Sequence, residues 1–156
     1  MSLIEIVIAE KKWSACRGLS RRLEDAAQLA LRRGGCRRRN VDLSILLAGD
    51  SRLRALNAKF RGKNRSTNVL SFETSDVGGR HLGDLALAYG VSAREARMQG
   101  KALADHAAHL VVHGVLHLLG FDHQTSRAAA TMEPLETSIL AELGISDPYA
   151  ARAKAA

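Results

Sequence analysis

The chain has 156 residues, 46% of them hydrophobic and 25% charged, which suits one domain over 1–156 with a core of its own. Its 23 Lys and Arg against 16 Asp and Glu give a net charge of +7 and favour polyanionic partners such as RNA, a ribosomal surface or acidic lipid. No apolar run approaches the ~20 residues of a membrane span. An aromatic content of 4% speaks against a base-stacking platform. The N-terminal MSLIEIVIAE lacks a basic n-region and a small-residue cleavage site, so a cytoplasmic protein is expected, with Cys16 and Cys36 as thiols rather than a disulfide.

Ile4, Ile6 and Ile8 alternate with their neighbours and predict a first strand. Ser14 is placed to cap a helix running to about Arg33, with Cys16, Leu19, Leu23, Ala26, Ala27 and Ala30 on its apolar stripe and Gly34-Gly35 as its stop. Arg37, Arg38 and Arg39 follow in a short loop, read either as phosphate contacts or as a solvated basic turn. Val41, Leu43, Ile45 and Leu47 predict a second strand, and Asp50 an N-cap for a helix through Leu53, Leu56 and Phe60. A basic loop over 61–67 leads to a short strand at 69–72, a polar loop at 74–80 and a fourth strand at 82–89. Ser92 and Glu95 have the spacing of a capping box, opening a helix that pauses at Gly100. A histidine-rich helix spans about 103–119, wrapped in apolar bulk by Leu110, Val111, Leu116 and Leu118. The last helix is expected to begin near Thr131, with Pro134 in its first turn, and to stop at Gly144; the tail after Pro148 is expected to fray. Strands early and helices late predict an α+β fold: a small mixed four-stranded sheet covered by helices.

His113 and His117 are four residues apart, so a helix stacks their imidazoles on one face. Gly120 can take a positive φ and end that helix, returning His123. The resulting H-x-x-x-H-x-x-G-x-x-H offers three neutral imidazoles and leaves a tetrahedral Zn²⁺ one open position, the layout of a catalytic site. Ni²⁺ or Co²⁺ are plausible substitutes. His109 competes for membership, but it lies about 12 Å of helical rise from His117, and with Zn–N bonds of about 2 Å one ion cannot bind both. Only the pair of His113 and His117 is near the Gly120 turn, which leaves His106 and His109 as supporting, packing or surface residues.

This spacing is that of metzincin proteases, which carry Glu directly after the first ligand as general base. Here that position is Gly114, which cannot take a proton. The stretch HGVLHLLGFDH (113–123) instead strongly resembles the signature of the bacterial YbeY family, metal-dependent endoribonucleases of rRNA maturation. LNAKFRGKNRSTNVLSF (56–72) is similar to that family's L-N-x-x-[YF]-R-x-x-x-x-x-T-D-V-L-S-F, and LGDLAL (82–87) to its G-D-I strand. Two positions depart from the pattern: Asn68 replaces the usual Asp, and Glu73 the usual Pro.

The resemblance implies the same α+β architecture, a single-strand-specific, zinc-dependent endoribonuclease acting on rRNA precursors (the 3′ end of 16S rRNA) and in ribosome quality control, and a monomer or weak oligomer that meets ribosomal particles. It makes Arg61 the catalytic cation, whose planar guanidinium suits a bidentate grip on phosphate, with Lys63 and Arg65 as backbone contacts. Asp84 could orient a ligand histidine or bind a loop, and Asp122 could support His123 or make a turn. A metzincin-like protease and a ribosome-binding factor with a structural zinc are the competing readings.

Overall fold

Apolar residues at every second position need a face to bury, and two such faces build the core around one sheet. The computed structural model describes residues 2–36, 40–74, 79–122 and 124–148. The strands are β1 (Leu3–Ile8), β2 (Asp42–Ala48), β3 (Val69–Glu73) and β4 (His81–Ala88), and the helices α1 (Leu19–Arg33), α2 (Asp50–Arg61), α3 (Tyr89–Met98), α4 (Leu103–Leu118) and α5 (Ser126–Glu142). The sheet order is β1-β2-β4-β3, with β1, β2 and β4 parallel and β3 antiparallel to β4. Parallel neighbours require crossovers, supplied by α1 between β1 and β2 and by α2 with β3 between β2 and β4. The expected mixed, helix-covered α+β sheet is the observed one.

Leu43, Ile45 and Leu47 of β2 and Leu85 and Leu87 of β4 share a core with α1 and α4, while Ala86 and Ala88 meet Leu53 of α2 in a second cluster. Helix α4 packs against α1, α3, α5, β3 and β4, and its Ala107, Val111, Val112, Val115 and Leu116 are fully enclosed. Burial of that extent fixes the helix in depth and rotation, so the histidines it carries are set by packing rather than by a loop. Its C-terminus closes with Gly120 at φ 102°, where the Gly120 N–H donates to His117 O and the Phe121 N–H to Leu116 O, both at 3.0 Å. This paired pattern satisfies two end carbonyls and turns the chain back, as the glycine predicted.

Four helix starts differ from the sequence reading. Helix α1 begins at Leu19, because residues 11–15 form a 3-10 turn that buries Trp13 and directs its indole N–H to Ala48 O at 2.9 Å. Asp50 is the first residue of α2 rather than its cap, and its carboxylate accepts instead from the Val91 N–H of α3 at 3.0 Å. Helix α3 accordingly starts at Tyr89, placing Ser92 inside it and buried. Helix α5 starts at Ser126, where Thr125 Oγ1 accepts from the Ala128 N–H at 3.1 Å, so Pro134 lies inside the helix. The carbonyl of Ala130 loses its usual donor, but Ala130 is exposed, and burial of Met132, Ile139 and Leu140 holds the helix together. Arg37, Arg38 and Arg39, part of the 74–80 loop and the tail after Pro148 lie outside the described residues.

Candidate functional site

Helical period sets His106, His109, His113 and His117 along one side of α4. At its C-terminal end the Nε2 atoms of His113 and His117 lie 3.0 Å apart. Two nitrogens bound to one tetrahedral ion at about 2.0–2.1 Å sit roughly 3.3 Å apart, so this donor pair fits a shared metal with little adjustment. His123, the third residue of the spacing, lies outside the described residues. His113 and His117 line a cleft of about 600 Å³ between α4 and the edge strand β3, together with Arg61, Asn68, Ser71 and Glu133.

Behind His113 stands Glu136 of α5, fully buried, with Oε1 2.5 Å from His113 Nδ1 and Oε2 3.1 Å from His109 Nε2. Burial alone would raise its pKa, but hydrogen bonds and charge from His109 and His113 outweigh it and hold the carboxyl at about 2. An ionised carboxylate only accepts, so His113 Nδ1 and His109 Nε2 are the donors. The Nε2 edge of His113 then faces Nε2 of His117, and the two ring edges meet on the cleft wall.

A second carboxylate grips the other end of the row. Glu95 of α3 accepts from His106 Nε2 at 2.8 Å and from Asn68 Nδ2 at 3.0 Å. The Asn68 amide donates here, which an ionised Asp could not do, so this partner suits the departure at position 68. Burial pushes the Glu95 pKa up, but the His106 and Asn68 hydrogen bonds push it down further, for a net lowering. With the folded pKa below the unfolded one, this stabilisation is complete above the ordinary value of 4.5 and is lost as pH falls through the folded value. Thermal melting of Glu95→Gln should therefore fall less steeply than wild type below pH 4.5. Parallel acid limbs in the two proteins would show that the Glu95 pairings contribute nothing to folding.

Arg61 is the last residue of α2, which Gly62 ends at φ 68°. Its Nη2 donates to Ser71 O at 2.7 Å, its guanidinium lies 5.9 Å from the Phe72 ring centre, and Ser71 Oγ in turn donates to Gly114 O at 3.3 Å. Strand β3 thus ties the end of α2 to α4 and brings Arg61 and the histidine pair, 52 to 56 positions apart in sequence, into one cleft. Lys63 and Arg65 stand on the exposed loop beyond and do not line the cleft. Asp84 reaches neither His113 nor His117: it lies with the α2 side of the sheet, bonded to Ser44 Oγ and 2.9 Å from His81 Nε2. Asp122 Oδ1 accepts from the Gln124 N–H at 3.0 Å, as a turn residue does.

Gly114 has a second consequence. A Cβ built there would meet Leu85 Cδ2 at 2.7 Å and Ser71 Oγ at 3.2 Å, so a side chain at the position of the protease base would have to displace the buried Leu85 side chain. Glu136, by contrast, went unassigned in the sequence reading. Its signal was available: it shares the buried stripe of α5 with Met132, Ile139 and Leu140, and a carboxylate on such a face needs a partner.

Paired imidazoles, a buried carboxylate behind them and an arginine across the cleft define an α+β protein of enzyme type. Residues 7–144 match the family model described as Endoribonuclease YbeY, and the chain belongs to that family. It is similar to the protein named Endoribonuclease YbeY from Maricaulis maris, 45% identical over 149 residues, covering 96% of this chain and 92% of that one. The protein of the same name from Paramagnetospirillum magneticum is 56% identical over 117 residues, covering 70% and 71%. A Thermotoga maritima protein of known solution structure shares the fold with a TM-score of 0.56 at 24% identity, covering 94% of this chain and 98% of that one. No helix among the described residues is long and apolar enough to cross a membrane.

Proposed function

We propose that the protein is a zinc-dependent endoribonuclease that cuts single-stranded RNA in rRNA precursors, in the cytoplasm and on ribosomal particles. His113, His117 and His123 would hold the ion. The observation that carries this reading is the convergence of the His113 and His117 Nε2 atoms, 3.0 Å apart, in a cleft that Arg61 also lines. A bound zinc would supply a Lewis acid beside the scissile phosphate. Arg61, anchored through one amino group to Ser71 O, would use the rest of its fork to hold and orient a phosphoryl group. Lys63 and Arg65, exposed beside it, would draw the RNA backbone toward the cleft. Family membership supports RNA as the substrate, and glycine at position 114, where a metzincin carries its base, disfavours peptidase chemistry.

The test is incubation of chelator-stripped and zinc-reloaded protein with labelled single-stranded RNA, duplex RNA and casein. Cleavage of the single strand alone, lost on stripping and recovered on reloading, is expected. Intact RNA with digested casein would replace this reading by a protease.

A further inference from the structure

We infer that Glu136 is a positioning residue of the metal centre, presenting Nε2 of His113 to the ion, and that His109 serves it by anchoring the second carboxylate oxygen. The inference rests on the proposed metal reading but concerns residues outside the ligand set. An imidazole turns readily about its last side-chain bond, and its two nitrogens are alternative ligands. Geometry selects one here. Oε1 of Glu136 holds His113 Nδ1 at 2.5 Å, which turns Nε2 outward to within 3.0 Å of His117 Nε2.

A carboxylate held through one oxygen could still swivel and carry the ring with it. Oε2 is 3.1 Å from His109 Nε2, one helical turn before His113, so both oxygens are pinned by the same helix α4. The backbone of Glu136 belongs to α5, which Met132, Ile139 and Leu140 anchor with no exposed surface. Two packed helices therefore fix the ring from behind, while its front edge lines the cleft. This also gives His109 a role: its Nε2 is directed at Glu136, so it acts through the carboxylate.

A purely structural ion pair would stabilise the contact of α4 with α5 without setting which His113 nitrogen is bare, and nitrogen NMR of the histidines separates the two. Metal-free wild type should carry its His113 proton on Nδ1. Glu136→Gln keeps the shape but can donate to Nδ1, and should shift His113 toward the Nε2–H form. Zinc affinity, read by competition with a chromophoric chelator, should then fall about 10- to 100-fold, the usual cost of removing a partner behind a metal-ligating histidine. His109→Ala should weaken it less, by several-fold. Wild-type His113 protonated on Nε2 would overturn the inference even if no variant folds. So would a folded Glu136→Gln protein with unchanged tautomer and affinity. Wild-type protein that binds no zinc but keeps its Nδ1 proton would instead remove the metal reading.

Discussion

His117→Ala is expected to lose its metal and its RNA cleavage together while keeping its fold. The side chain lies on the cleft wall rather than in the packed interior, so its removal opens the site and not the core. It would take away one of three proposed ligands, so the drop in affinity should exceed the about 10- to 100-fold typical of losing a partner outside the ligand set. His113→Ala and His123→Ala should behave alike. His106→Ala is the control: its ring is turned to Glu95 on α3 and should leave metal content unchanged. Metal per chain by elemental analysis, circular dichroism and cleavage of labelled RNA together decide the matter. Full metal content in folded His117→Ala, or an empty site in His106→Ala, would show that the ligands have been misassigned.

That the row of histidines divides in this way was only partly legible from spacing. Helical period places His113 and His117 together, and Gly120 announces the turn after them, because both are local properties of the chain. His106 and His109 are equivalent by the same rule. They are separated by carboxylates 11 and 27 residues away, Glu95 and Glu136, and no local pattern connects those positions. The strands were legible for a similar reason, since alternation at Leu43, Ile45 and Leu47 follows from one buried face. Apart from α4, which begins at Leu103 as its pattern predicts, the helix starts were not. Ser14 and the pair of Ser92 and Glu95 carry cap chemistry, but Trp13 needs a buried seat and Asp50 supplies a cap from another helix. Pro134 suggests a first turn, yet tertiary burial on α5 outweighs one missing hydrogen bond.

Arg61→Ala is expected to separate binding from chemistry. The fold should survive, because Arg61 ends a helix on the surface and its bond to Ser71 O lies on an edge strand. Metal content should survive too, since the guanidinium is held by Ser71 O and not by His113 or His117. RNA affinity should fall little, for Lys63 and Arg65 remain as docking charges, and a contact that acts mainly on the transition state contributes little when RNA first binds. Cleavage is the quantity that should collapse, by about 10²-fold or more, the scale of losing one preorganised donor to developing negative charge. The same geometry makes lysine an expected poor substitute. Arg61 spends one amino group on Ser71 O and has Nε and the other amino group left to offer, a division that a single ammonium cannot reproduce. Arg61→Lys should accordingly recover only part of the rate. Single-turnover cleavage beside filter binding measures both quantities. Normal cleavage by folded, metal-loaded Arg61→Ala would remove this arginine from the chemistry and leave its tie to β3 as its role.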